Sequence, residues 1–167
     1  MKNLILIGMP ACGKSTVGVI LAKTVGMKFL DTDLLIQERE GALLQELINT
    51  KGNDYFKKVE EYVLRSVNIE NAVVSTGGSA VYYPEAIKHF KKNGIIVYIK
   101  VPFETIESRL DNITTRGVTM APGQTLKDLY DQRAPLYEAN ADLVVDADGL
   151  TVEQTIEKII ESIEQPC

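Results

Sequence analysis

Gly8-Met9-Pro10-Ala11-Cys12-Gly13-Lys14-Ser15 has the form glycine, any four residues, glycine, lysine, serine. This is the pattern of a phosphate-binding loop. Glycines at both ends let the backbone turn tightly and approach a ligand closely. The amide groups of Ala11, Cys12, Gly13, Lys14, Ser15 and Thr16 then point inward as a cradle for phosphate oxygens. Lys14 reaches the β- and γ-phosphates, and the Ser15 hydroxyl holds Mg²⁺. The flanking sequence supplies the context such a loop needs. Asn3-Leu4-Ile5-Leu6-Ile7 reads as a buried parallel strand. Val17, Ile20, Leu21 and Val25 recur at helical spacing after the loop, and Gly26 stops that helix.

Working outward, the rest of the chain alternates strand and helix. Lys28-Phe29-Leu30 leads into Asp31-Thr32-Asp33 as a second strand. Helical stripes follow at Leu34 to Arg39, at Leu43, Leu44, Leu47 and Ile48 as far as Gly52, and at Tyr55, Val59, Tyr62 and Val63. Ala72 to Ser75, Ile95 to Ile99 and Leu143 to Val145 are the further strands. Pro84 suits the first turn of one intervening helix, and Phe103 to Leu110 forms another. Thr151-x-x-Gln154 is a capping-box start to the last. Five strands with helical crossovers predict an α/β fold, a five-stranded parallel sheet with helices on both faces. A length of 167 residues fits a single domain.

Composition narrows the function. Apolar residues make up 45% and charged residues 25%, ordinary for a globular chain, and no apolar run reaches membrane-spanning length. No signal peptide is expected, so the expected location is cytoplasmic, without a membrane partner. A net charge of −5 argues against nucleic acid as a partner. It also demands that cations cluster locally if the ligand is a nucleotide. Cys12 and Cys167 cannot build a disulfide framework and are expected as free thiols. His89 is the sole histidine, so zinc chemistry lacks ligands.

In an open α/β sheet, ligands lie beyond the carboxyl ends of the strands. Those ends carry the phosphate loop, Asp31-Thr32-Asp33 and Thr76-Gly77-Gly78-Ser79. Two acids a residue apart project to the same side of an extended chain. One can reach the metal and the other can accept a proton from a substrate hydroxyl. The competing role for Asp33 is the N-cap of a helix starting at Leu34. Gly77 and Gly78 offer backbone amides to a ligand. The segment from Asn112 to Gly123 breaks the rhythm of elements, and its length and its Arg116 suit a lid over a phosphate site. The third strand ends without the acid of a Walker B segment, and no Asn-Lys-x-Asp element for guanine is present.

Together these residues resemble the shikimate kinase family of P-loop kinases, over nearly the whole chain. The resemblance rests on the loop Gly8 to Ser15, Asp31-Thr32-Asp33, the run Gly52-Asn53-Asp54-Tyr55-Phe56-Lys57-Lys58-Val59-Glu60, Ser75-Thr76-Gly77-Gly78, Arg116, and Gln132-Arg133-Ala134-Pro135-Leu136-Tyr137. It implies ATP- and Mg²⁺-dependent phosphorylation of a small hydroxy-carboxylic acid, shikimate to shikimate 3-phosphate, by a monomer. It gives Lys14, Asp33 and Arg116 catalytic roles. Asp33 resembles the carboxylate that contacts the substrate hydroxyls and acts as base. Arg116 resembles the lid arginine over ATP. Ser15 and Asp31 resemble the groups that hold the metal, and Arg133 one of two arginines on the substrate carboxylate. Lys57, Gly77, Gly78 and Ser79 fall on the remaining substrate-binding positions. The lid maps to about 112–124 and an acceptor-binding helical segment to about 33–66.

Three positions depart from the family pattern. Lys57 stands where the second carboxylate-binding arginine is expected, Ser79 replaces the third glycine, and Gly117-Val118 follow the lid arginine in place of proline and leucine. Lysine offers a point charge where arginine offers a planar fork. Two other functions therefore fit the same residues: a paralogue that phosphorylates a different hydroxy acid or polyol, and a nucleotide-binding regulator without turnover.

Overall fold

A computed structural model describes residues 2–110 and 120–165 of the chain. Five parallel strands form one sheet: β1 (Asn3–Ile7), β2 (Lys28–Asp31), β3 (Ala72–Ser75), β4 (Gly94–Lys100) and β5 (Leu143–Asp146), in the order β2-β3-β1-β4-β5. The helices are α1 (Lys14–Val25), α2 (Thr32–Glu40), α3 (Leu44–Ser66), α4 (Pro84–Lys91), α5 (Phe103–Arg109), α6 (Leu126–Asn140) and α7 (Val152–Glu164). A short 3₁₀ turn spans Ala80–Tyr82. All five β1 residues are buried. A strand buried along its whole length has both faces covered, which is why β1 is apolar from Leu4 to Ile7 after the buried Asn3.

The central place of β1 positions the site. Leu4 pairs with Val73 on one side and with Ile95 on the other. From β1 the chain crosses to β2 on one side, and from β3 it crosses back past β1 to β4 on the other, so a crevice opens at the carboxyl ends of β1 and β3. The phosphate loop fills that end. Gly8 has φ 151°, and a Cβ there would stand 2.8 Å from the Ile99 carbonyl oxygen, so this position has no room for a side chain.

Three elements differ from the sequence expectation. The second strand stops at Asp31, and Thr32 opens α2. Asp33 thus enters the site from the first turn of a helix, not from an extended chain. The N-cap is Asp31, whose Oδ1 accepts from the backbone N–H groups of Asp33 at 2.9 Å and Leu34 at 3.3 Å. The two stripes either side of Gly52 run on as α3, broken where Gly52 takes φ 85° and ψ 168°. Helix α6 has no counterpart in the sequence expectation. Pro135 lies inside it, which argues against a helix on local grounds. Its start carries a capping box in which Thr125 and Asp128 exchange side-chain and backbone hydrogen bonds.

Candidate active site

The loop presents a positive face. The N-cap of α1 is Gly13, in left-handed conformation with φ 102°, and no side chain caps the helix. Its first amides are thus open to an anion. Ala11 also adopts a positive φ of 64°, which costs about 1–2 kcal/mol for a residue with a Cβ. Its carbonyl oxygen accepts from Arg109 Nη1 at 3.0 Å, which ties the loop to the end of α5. Lys14 is buried at 7% exposure. Its ammonium donates to the carbonyl oxygens of Gly8 at 2.6 Å and Met9 at 2.8 Å. Ser75 Oγ donates to the Lys14 carbonyl at 2.8 Å and joins the start of α1 to β3.

Ser15 Oγ donates to Asp31 Oδ2 at 3.0 Å. Asp31 therefore uses one oxygen on the phosphate-loop serine and the other to cap the helix that carries Asp33. Hydroxyl and carboxylate oxygens suit a hard cation such as Mg²⁺. Among the described residues no cluster of three His, Cys, Asp or Glu side chains could cage a metal. The donors present fit an ion that takes its remaining ligands from phosphate and water.

A cavity of about 590 Å³ extends from this loop, lined by Lys14, Ser15, Asp33, Glu60, Gly77, Gly78, Ser79, Arg109 and Arg133 among others. The two glycines are there for close approach. A Cβ at Gly77 would stand 2.8 Å from Asp33 Oδ1 and 3.2 Å from Glu60 Oε2. A Cβ at Gly78 would stand 2.8 Å from Arg133 Nη1. The Gly78 carbonyl oxygen accepts from Tyr137 Oη at 2.6 Å, which fixes the loop after β3. Arg133 is buried at 2% exposure, its guanidinium carbon 5.3 Å from the centre of the Tyr82 ring.

Two carboxyls in this cavity have altered acidity. Burial, then the nearby Glu60 and Asp31 charges, push Asp33 up to about 7 against the pull of Lys14. Glu60 is also pushed up, chiefly by burial at 2% exposure. Its hydrogen bonds from Ser79 and Tyr83, then the charges of Arg133 and Lys57, act the other way. A group that titrates near neutrality and faces a phosphate loop is suited to general-base work.

The structure thus brings Ala11, Gly13, Lys14, Ser15, Thr16, Asp33, Gly77, Gly78, Ser79 and Arg133 to one cavity. Cys12 is buried within the loop, 3.7 Å from the Lys14 ammonium, and Asp31 reaches the cavity through Ser15. Lys57 is not brought in. It is exposed on α3 and outside the lining, near enough to Glu60 for its charge to favour the ionised carboxylate. Arg116 lies outside the described residues. Two charged lining residues, Arg109 and Glu60, have no role in the sequence expectation. Arg109 supplies a cation at the end of α5. Glu60 had a visible signal: it falls on the buried face of α3 beside Phe56, Val59 and Val63, where an unexplained acid is costly.

A family model of shikimate kinase matches residues 10–164. The chain belongs to the shikimate kinase family. Family members align along the whole length. A shikimate kinase of Sulfurihydrogenibium sp. is 37% identical over 166 residues, covering 99% of each chain. The structure of shikimate kinase from Acinetobacter baumannii in complex with shikimate superposes with a TM-score of 0.88 at 30% identity, covering 98% of this chain and 93% of that one. The Aquifex aeolicus shikimate kinase structure gives 0.84 at 34% identity, covering 97% and 96%. The five-stranded sheet and its loop are therefore those of a small-molecule kinase, as the sequence motifs implied.

Proposed function

We propose that the chain transfers the γ-phosphoryl group of ATP to a hydroxyl of shikimate, giving shikimate 3-phosphate. The observation that carries this reading is the position of Asp33. Its carboxylate lines the same cavity as the phosphate-loop lysine, Gly78 and Arg133. A carboxylate there accepts the proton of an attacking hydroxyl while Lys14 neutralises charge on the transferring group. Arg133 binds the acceptor's carboxylate with its guanidinium fork. The amides of Gly77 and Gly78 and the Ser79 position border the ring. Ser15, with Asp31 behind it, holds the Mg²⁺ that accompanies ATP. That ion supplies charge neutralisation on the phosphates when bound.

Phosphoryl transfer needs mostly positioning and countercharge. The cavity gathers Lys14, Arg109 and Arg133 against the acids Asp33 and Glu60, so that cations outnumber acids in it on a chain of net charge −5. Arg116 adds to those cations as the lid arginine in this reading. The same reading makes the protein a cytoplasmic monomer that engages neither nucleic acid nor membrane. Among the described residues no helix is long and apolar enough to cross a membrane.

The test is ADP release with Mg-ATP against a panel of small hydroxy acids and polyols that includes shikimate. Release with shikimate at the highest kcat/KM of the panel supports the reading. Release only with another acceptor identifies a paralogue with altered specificity. Tight ATP binding without release identifies a nucleotide-binding regulator.

A further inference from the structure

Glu60 is the most enclosed acid in the cavity, and its orientation is fixed by a device outside the catalytic set. Its Oε1 accepts from Ser79 Oγ at 2.5 Å and from Tyr83 Oη at 2.7 Å. These donors stand at the two ends of the 3₁₀ turn Ala80–Tyr82. Backbone bonds make the turn stiff: Tyr82 N–H donates to the Ser79 carbonyl at 3.0 Å, and Tyr83 N–H to that of Ala80 at 3.2 Å. One rigid turn therefore grips one carboxylate oxygen from both sides. The other oxygen, Oε2, lies against Gly77, in the part of the cavity bordered by Asp33. Ser79 lines the cavity, whereas Tyr83 stands behind it.

We infer that Ser79 and Tyr83 are positioning residues for the acceptor: they act through Glu60, holding it as a charged, fixed hydrogen-bond acceptor for a substrate hydroxyl. The inference rests on the acceptor reading above. It also gives Ser79 a purpose. The hydroxyl that replaces a hydrogen at this position is turned onto Glu60 and is spent on aiming that carboxylate.

The electrostatics agree with the geometry. Burial favours the neutral form of Glu60, and the two hydroxyl donors are the largest opposing influence, followed by Arg133 from α6 and Lys57 from α3 itself. Asp33 from α2 is the like charge facing it. Burial and the Glu60 charge push the Tyr83 hydroxyl far above its usual range, so it remains a donor at every assay pH. Without the donors, Glu60 binds a proton more readily, and the loss grows as pH falls.

The experiment is steady-state kinetics of S79A and Y83F with shikimate and Mg-ATP at two pH values, one near 8.5 and one near 6.5. A hydrogen bond to a charged group corresponds to about tenfold or more. Each variant is expected to raise the shikimate KM about tenfold at the lower pH and less at the higher, with the ATP KM unchanged. Because the Glu60 charge raises the Asp33 pKa, a variant that neutralises Glu60 also eases ionisation of Asp33, so the test is read in the shikimate KM and not in kcat. In an E60Q background neither substitution adds to the loss. A purely structural clamp would lower Tm and leave the shikimate KM unmoved at both pH values, which would overturn the inference. Carboxyl ¹³C resonances of labelled glutamate, with Glu60 assigned by difference against E60Q, give a readout without substrate. The Glu60 midpoint is expected to rise in S79A and Y83F, and equal midpoints overturn the clamp. A displaced midpoint in a protein whose parent ignores shikimate would retain the clamp and remove the shikimate reading.

Discussion

Gly77→Ala isolates how tightly the acceptor side of the site is built. The new Cβ would stand 2.8 Å from Asp33 Oδ1 and 3.2 Å from Glu60 Oε2. Ordinary contact begins at 3.4 Å, so the Asp33 carboxylate must retreat by about 0.6 Å. Gly77 does not hold a left-handed conformation, so alanine adds no backbone strain there. The damage falls on the position of the base, not on the fold. Displacing a catalytic group by about 1 Å costs about 10²-fold. A 0.6 Å retreat should therefore lower kcat/KM for shikimate by about 10- to 100-fold, or about 1.4–2.7 kcal/mol of transition-state stabilisation. The ATP KM, set by the loop on α1, should stay within about threefold, a change of less than 1 kcal/mol. Coupled ADP release with shikimate and ATP varied in turn reads both quantities, and a thermal melt checks the fold. If kcat/KM for shikimate stays within about twofold of the parent, Asp33 is not the positioned base and the close approach at Gly77 serves packing alone.

Other expectations rest on the same geometry. Lys14→Ala should abolish transfer and leave the fold intact by circular dichroism, because the ammonium's countercharge in the transition state is lost; activity within about tenfold of the parent contradicts its role. Asp33 works as its anion and titrates at about 7, so kcat/KM for shikimate should fall with falling pH through that value and level off above it. A pH profile flat from 6 to 8 would remove Asp33 as the titrating base, and Asp33→Asn should retain ATP affinity while losing turnover. Arg133 is buried against Gly78 whereas Lys57 is exposed outside the lining, so Arg133→Lys should raise the shikimate KM more than Lys57→Ala does. The reverse ranking would make Lys57 the main carboxylate ligand.

Much of this was legible in the residues because the local signals and the tertiary fold agree. The run Asn3 to Ile7 reads as a buried strand because it is buried on both faces, and the glycine-lysine-serine order marks the loop and the helix start beyond it. The residues of Asp31-Thr32-Asp33 mark the site, whereas their backbone conformation is not visible in the spacing. The strand-to-helix change falls between Asp31 and Thr32, and the capping bonds that set it depend on a side-chain rotamer that spacing does not reveal. Helix α6 was obscured by Pro135, although Thr125 and Asp128 carry its start signal. Glu60 and Tyr83 meet only because α3 and the turn after β3 pack together, a contact 23 residues apart in the chain with no local signature. The placement of Lys57 could not be read either. Its neighbour Phe56 points into the core, and the helix turns the next side chain outward.

The most direct test of the central claim is ³¹P spectroscopy of the protein incubated with Mg-ATP and shikimate. The account predicts a phosphate-ester resonance that grows in step with ADP, requires shikimate, and disappears in Lys14→Ala. Growth of inorganic phosphate alone, or no change in the ATP signals when shikimate is added, would contradict it.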